Sequence, residues 1–299
     1  MQHKRQHYIP SSYLQAWCDP TCLPTQTPYV WRISKDTSEV RKKSPDKIFY
    51  EKDLYTVKTV DGNRDLTIEY SLSRLESEFS KMRKNKLDKR LFLTGEDRLI
   101  LCMFTMAMYG RTKAYGQHWS SQWKEVLDMT ERIQNVMEAA SPEQRASMSS
   151  ALPADGSKRK NNSITKDEIQ QIVEQPYSRT LPQLITEISL MLFKFKLVVL
   201  ETKKQFPFIT SDVPCIWFDP AEFQSPKSFG AGGLVSPTVE ITLPISPTQT
   251  LLFGKKLIRD NVYLHLNDLK LVDEFNRRIR LTADKHFVSN SHLVRPGWL

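Results

Sequence analysis

The sequence predicts an α+β fold in which central buried helices pack on a small mixed β-sheet formed by N-terminal and C-terminal strands. Two features predict it. A middle stretch, residues 66–195, carries apolar residues at helical spacing. Segments rich in β-branched and aromatic residues, typical of strands, flank it near residues 48–57, 197–217, 239–253 and 287–289. We therefore expect these strands to form one sheet against the longest helix.

We expect a single domain over residues 1–299, although this length also permits two intimate domains. Its parts are an N-terminal motif with strands at 1–65, the helical part at 66–195, and strands with a C-terminal helix at 196–299. Within the helical part, residues 152–165 read LPADGSKRKNNSIT. This polar, basic composition is typical of a mobile loop.

The composition, 39% hydrophobic and 26% charged, is that of a soluble globular protein. No window approaches the roughly 18 apolar residues of a membrane span, so no membrane partner is expected. The polar start, Met1 to His7, does not resemble a signal peptide. The four cysteines are scattered, which favours reduced thiols and a cytoplasmic location. Cys18-x3-Cys22 has no second Cys/His pair at a spacing suited to zinc.

The formal net charge of +9 favours a polyanionic partner, with nucleic acid the first choice and acidic lipid the second. Two basic runs supply the candidate phosphate contacts: Lys84, Lys86 and Arg90 within residues 81–90, and Lys158, Arg159 and Lys160 in the expected loop. The alternative for the first run is a solvated helix end, where cations face the negative end of the helix dipole. A protein partner is the alternative to nucleic acid.

The most apolar helix is predicted to start near Gly95 and to continue to about Val136. Its body, Leu99 to Tyr109, is hydrophobic nearly all round, which predicts a buried position. Arg111 follows that body directly. An arginine emerging from a buried helix is normally paired with a carboxylate or reaches a ligand.

Asp212 lies at the end of a predicted buried strand, two residues before Pro214, where regular pairing should stop. Enzymes with α/β folds often place a working group at such a strand end. The alternative is that Ser211 and Asp212 cap the turn through side-chain-to-backbone hydrogen bonds.

The chain contains no phosphate-binding glycine motif, no zinc-finger spacing and no hydrolase signature. One weaker pattern is Glu201-x-Lys203, which follows an apolar strand as in some metal-dependent nucleases. Those enzymes also need an acid upstream on a neighbouring strand. Here the only acid in that window is Glu187, and it falls on a predicted helix.

His7 comes directly before the apolar residues Tyr8 and Ile9 and the helix-starting Pro10. A disordered terminus would not need this order of residues. Histidine titrates near neutral pH and can act as a general base or acid. The alternative is a packed histidine whose ring bonds a backbone carbonyl.

The order of these segments resembles a large, mainly bacterial family known as domain of unknown function 4238. Its opening motif, H-H-Y-V-P-x-x-Y-L, is similar to residues 6–14, with Gln6 in place of the first histidine. Its F-x-T-S-D-N-P block is similar to Phe208 to Pro214, with Val213 in place of asparagine. Further family blocks resemble residues 48–55, 69–76, 108–113 and 244–247, and its late asparagine is similar to Asn276.

The resemblance supplies no activity, but it implies that six polar residues converge: His7, Glu69, Glu76, Arg111, Asp212 and Asn276. Burying so many polar groups is unfavourable unless they are paired or functional. Glu69 and Asn276 are therefore candidate binding residues.

We expect a nucleic-acid-acting enzyme, a nuclease or phosphodiesterase of a toxin or anti-phage system. His7 would be the general base or acid, and Arg111 would hold a phosphate. Asp212 with Glu76 would orient His7 or bind a divalent metal ion. The alternative is a non-enzymatic module that binds nucleic acid or protein and whose polar cluster is structural.

Overall fold

The computed structural model describes residues 4–59, 61–145, 164–221 and 233–298. Its helices are α1 (Ser11–Leu14), α2 (Thr67–Met82), α3 (Gly95–Gly110), α4 (Lys113–Ala139), α5 (Lys166–Glu174), α6 (Pro176–Gln183), α7 (Ser189–Phe193) and α8 (Leu269–Thr282). Two π-helical segments interrupt this pattern. The first π segment, Arg83–Leu87, follows α2, and the second, Leu184–Ile188, joins α6 to α7. None of the helices described is long and apolar enough to cross a membrane.

The strands are β1 (Arg5–His7), β2 (Val30–Ser34), β3 (Val40–Lys43), β4 (Tyr50–Lys52), β5 (Val57–Lys58), β6 (Arg64–Asp65), β7 (Lys196–Glu201), β8 (Thr210–Ser211), β9 (Ile216–Phe218), β10 (Glu240–Ser246), β11 (Gln249–Gly254), β12 (Val262–His265) and β13 (His286–Ser289). They form a five-stranded sheet in the order β12-β7-β11-β10-β9 and a four-stranded sheet in the order β3-β2-β13-β8. Two small ribbons, β1-β4 and β5-β6, complete the described strands.

The α+β class is confirmed, but the expected single sheet is wrong. Residues 197–217 were expected to share one sheet, yet β7 and β9 belong to the five-stranded sheet and β8 to the four-stranded one. The reason lies just after β8, at Pro214. β8 pairs with β13 for two residues only. Pro214 lacks the N–H that further pairing would need, and the chain crosses to the other sheet.

The five-stranded sheet and the central helix α3 contribute to one hydrophobic core. Leu101 and Phe104 of α3 are buried in the same cluster as Ile241 and Leu251 of the β10–β11 hairpin. Phe79 of α2 stacks on Phe104 with ring centroids 3.7 Å apart. The apolar character of α3 therefore places it in the centre, as predicted.

The predicted continuous helix from Gly95 to about Val136 is broken. α3 ends at Gly110, and α4 begins at Lys113 with a new N-cap, because the Thr112 side chain accepts a hydrogen bond from the Tyr115 N–H at 3.3 Å. Threonine is a favourable N-cap residue. The break turns the backbone at Arg111, which fixes where its side chain goes.

Candidate functional site

Arg111 lies at the centre of a buried polar group that we call the arginine cluster: His7, Tyr55, Glu76 and Arg111. The guanidinium donates from Nη1 to Glu76 Oε1 at 2.7 Å and from Nη2 to the backbone oxygen of His7 at 2.5 Å. Tyr55 donates its hydroxyl to the backbone oxygen of Arg111 at 2.9 Å. Arg111 is only 2% exposed, so these contacts compensate for burying its charge.

The electrostatics of the arginine cluster keep the guanidinium charged. Burial by itself lowers the pKa of Arg111, but the Glu76 carboxylate and then Tyr55 outweigh it, so the pKa is raised. Burial also raises the pKa of Tyr55, although Arg111 opposes that shift. Both guanidinium Nη atoms already serve protein acceptors, so Arg111 holds the N-terminal motif onto α2 and α3.

His7 joins the arginine cluster through its backbone, while its ring faces another way. The ring nitrogen Nε2 lies 3.3 Å from the backbone oxygen of Asp46, and the ring meets Tyr50 edge-on. Burial lowers the pKa of His7, the Asp46 carbonyl raises it and Arg111 lowers it again, with a net lowering. This arrangement corresponds to the packed histidine bonded to a backbone carbonyl.

Gln6 is a structural residue that the sequence reasoning did not single out. It is fully buried. Its Nε2 donates to Thr56 Oγ1 at 2.9 Å, and its Oε1 accepts from the Tyr55 N–H at 2.6 Å. A buried neutral amide needs both a donor and an acceptor partner, but Gln6 stands between Arg5 and His7, so its local sequence did not mark it as buried.

Asp212 forms a second polar group, which we call the aspartate clamp. Its Oδ1 accepts from the backbone N–H of Asp284, and its Oδ2 accepts from those of Lys285 and His286, each at 2.9 Å. The side chain is buried, with 4% of the residue exposed. Burial raises the pKa of Asp212, and the three N–H groups oppose the rise only in part. His286 Nδ1 lies 4.0 Å from the carboxylate.

Asn276 and Glu69 occupy separate places. Asn276, on α8, accepts from the Ile209 N–H at 2.9 Å and donates to the Pro207 oxygen at 2.9 Å, so it holds the chain that leads into β8.

Glu69 lies in the first turn of α2, half-buried and close enough to Tyr55 to affect the pKa of that tyrosine. Of the six residues expected to converge, the contacts therefore join His7, Glu76 and Arg111 directly, whereas Asp212 and Asn276 bond other backbone segments.

A cluster of cations lies at the end of β7, in a depression of about 430 Å³. We call it the basic pocket; its cationic and titratable lining residues are Arg90, Lys203, Lys204 and His265. Glu201 also lines it and accepts from Arg90 Nε at 2.9 Å and from Gln249 Nε2 at 3.1 Å. The first π segment lies just before Arg90, which itself has a positive φ of 54°.

The predicted phosphate contacts are placed in part. Lys84 is exposed, Lys86 pairs with Asp97 at 3.3 Å, and Arg90 lines the basic pocket. Lys158, Arg159 and Lys160 lie outside the described residues. Lys203 and Lys204 were not singled out as contacts; the charged turn between two buried strands was the signal that could have found them.

The candidate metal ligands do not assemble into a centre. Within the ranges that the structure describes, no group of three or more His, Cys, Asp or Glu side chains is arranged to hold an ion. Glu76 bonds Arg111, Asp212 bonds backbone N–H groups, and Glu201 bonds Arg90. All three carboxylates are therefore engaged by groups of the protein.

Comparison with known proteins identifies a family whose model covers most of the chain. The model of a family described as "Protein of unknown function (DUF4238)" matches residues 5–292. No curated protein and no solved structure matches the chain significantly.

Proposed function

The chain belongs to the DUF4238 family, whose description assigns no activity, and we propose that this member binds nucleic acid at the basic pocket. The observation that carries the proposal is the meeting of Arg90, Lys203, Lys204 and His265 in one depression. These residues come from three separate parts of the chain. A surface that gathers cations from distant segments suits a ligand with regularly spaced negative charges.

The charges around the basic pocket support a phosphate backbone as the ligand. Lys203 and Lys204 are exposed and form no ion pair with any described residue. The same is true of Lys84, which lies six residues before Arg90 in the sequence. Arg90 is held by buried Glu201, which fixes the position of its guanidinium. The net charge of +9 acts in the same direction, since it raises the local concentration of a polyanion.

The proposal is binding rather than cleavage, because the carboxylates that a nuclease would use are already hydrogen-bonded inside the protein. Glu76 is held by Arg111, and Asp212 accepts three backbone N–H groups. Recruiting either one to a metal ion or a water would leave buried donors unpaired, at a cost of about 1–3 kcal/mol for each group.

The test is titration of single- and double-stranded DNA and RNA oligonucleotides over a series of salt concentrations. We expect the double variant Lys203→Glu/Lys204→Glu to weaken binding by about tenfold or more. It should also reduce the slope of log K against log salt by about two, because roughly one counterion is released per phosphate contact. The charge-matched control is Lys124→Glu/Lys194→Glu, which alters two exposed lysines away from the basic pocket.

Equal weakening by both double variants would show that only net charge matters and would contradict a site at the basic pocket. No binding by the wild type at low salt would contradict the proposal altogether. The same incubations with Mg²⁺ or Mn²⁺ report cleavage on a gel. If the wild type shortens a substrate and His7→Ala does not, the protein is the nuclease predicted from the sequence and the binding proposal is wrong.

A further inference from the structure

A second depression, of about 630 Å³, is lined by tyrosine and tryptophan rings, by the exposed His118 and by aliphatic and polar side chains. We call it the aromatic cleft, and its rings are Tyr109, Tyr115, Trp119, Trp123 and Trp217. Tyr109 and Trp217 stack with centroids 4.6 Å apart, and Tyr115 meets both Tyr109 and Trp119 edge-on. A volume of this size with mostly apolar walls suits a small organic molecule.

The aromatic cleft is separate from the basic pocket. Trp217 belongs to β9, one edge strand of the five-stranded sheet. The opposite edge strand is β12, with β7 beside it, and there Glu201 and His265 border the basic pocket. No residue lines both depressions. A ligand of the aromatic cleft would therefore contact none of the residues that line the basic pocket.

The backbone beside the aromatic cleft is irregular in a way that often accompanies function. Leu184, Glu187 and Ile188 line the cleft, and all three lie in the second π segment. π-helical turns inside α-helices are rare and occur frequently at functional sites. This turn stands between α6 and α7, where the helical segment borders the cleft.

The charges at the aromatic cleft favour a cation. Arg179 lines it, but its guanidinium is paired with Glu168 at 2.9 Å. Glu187 also lines it, is exposed, and has no ion pair among the residues described. The cleft thus offers one uncompensated carboxylate and several aromatic faces, and both attract positive charge.

We propose that the aromatic cleft is a binding site for a small organic ammonium ion. The methyl or aryl groups of such a ligand pack against Trp119, Trp123 and Tyr109. Its positive nitrogen faces the aromatic rings and the Glu187 carboxylate. The assignment extends beyond the proposed function and does not rest on it.

The test uses three probes of similar size and different charge: phenyltrimethylammonium, neutral 4-tert-butylphenol and anionic benzenesulfonate. Binding is measured by calorimetry and by tryptophan fluorescence, which is informative because three of the six tryptophans line the cleft. We expect the ammonium probe to bind about tenfold more tightly than the neutral one, which is the range that desolvated cation–π contacts provide.

Two variants locate the site. Trp123→Leu should weaken the ammonium probe about fivefold, and Glu187→Gln should weaken it about threefold while leaving the neutral probe unchanged. The matched controls are Trp31→Leu, which removes a tryptophan outside the cleft, and Glu125→Gln, which removes an exposed acid on α4. Both controls should bind as the wild type does, and each variant is first shown to melt like the wild type.

Three results would overturn the proposal. Equal or tighter binding of the neutral probe would show that charge does not matter. Preference for the anionic probe would show that Arg179 rather than Glu187 determines which charge the ligand carries. Absence of saturable binding by any of the three probes would show that the cleft is not a site for ligands of this class.

Discussion

Asp212 connects two strands that are more than seventy residues apart in sequence. Its carboxylate accepts the N–H groups of residues 284–286, and its own N–H donates to the His286 oxygen at 3.1 Å. The turn before β13 is therefore held to the end of β8 from both sides. At this one residue, the side chain does what the turn-cap alternative expected, but its partners are distant rather than local.

We predict that Asp212→Asn lowers the free energy of unfolding by about 2 kcal/mol. The reason is that an amide presents one oxygen and one NH2 group, so at least one of the three backbone donors meets another donor. The measurement is chemical denaturation of the full chain. Asp284→Asn is the control, because it keeps the backbone N–H that bonds Asp212 and removes only an exposed carboxylate whose charge raises the pKa of Asp212. An equal loss in both variants would contradict the clamp.

Asp212 and Arg111 show which contacts of a polar residue can be predicted from its neighbours in the sequence. An acid before Pro214 marks a strand end from local chemistry alone, and β8 does end there. Which groups satisfy that acid depends on the arrangement of the two sheets, which nothing near Asp212 specifies. The same holds for Arg111: burial of a charge predicted a partner, and Glu76 was among the expected residues, but the His7 carbonyl was not.

Helix ends are set by short-range contacts, and those near α3 and α4 differ in how readily they are predicted. Thr94 and Asp97 form a capping box that starts α3 where the sequence predicts. The restart at α4 has a cap of the same kind at Thr112, but the surrounding apolar pattern continues across it. A close contact lies beside this break: Gly116 packs directly against Tyr177, whose hydroxyl donates to the Thr112 oxygen at 2.8 Å.

We predict that Gly116→Ala lowers the free energy of unfolding by about 2 kcal/mol, as overpacking of a close contact does. A methyl group at Gly116 would lie 2.3 Å from the Tyr177 hydroxyl oxygen and 2.5 Å from Cζ, so α4 or Tyr177 must move. Thermal melting followed by circular dichroism measures the loss.

Gly95→Ala is the matched control, because its methyl group would meet only Phe193, at 4.0 Å. Alanine is the better helix former, so this control should leave stability unchanged or raise it by less than about 1 kcal/mol. If Gly116→Ala were as stable as Gly95→Ala, the contact between α4 and Tyr177 would not be tight enough to exclude a methyl group.

Residues 5–17 hold together parts of the molecule that are far apart in the chain. β1 pairs with β4, Tyr13 donates to the Pro244 oxygen at 2.6 Å, and Trp17 donates to the Phe208 oxygen at 3.0 Å. Both aromatic side chains are almost fully buried. Helical periodicity and strand composition predicted the fold class, but the division into two sheets depends on such long-range bonds, which composition does not contain.

We therefore predict that removing residues 1–17 abolishes the cooperative thermal transition, because polar groups of three separate segments lose partners and the core loses Tyr13 and Trp17 together. Tyr13→Phe gives a graded test: it deletes the hydroxyl bonded to the Pro244 oxygen and 2.7 Å from Thr210 Oγ1, and should cost about 1–3 kcal/mol. A sharp transition near the wild-type temperature after the 17-residue deletion would show that the motif is peripheral to the fold, and its side chains would then have to be explained by binding.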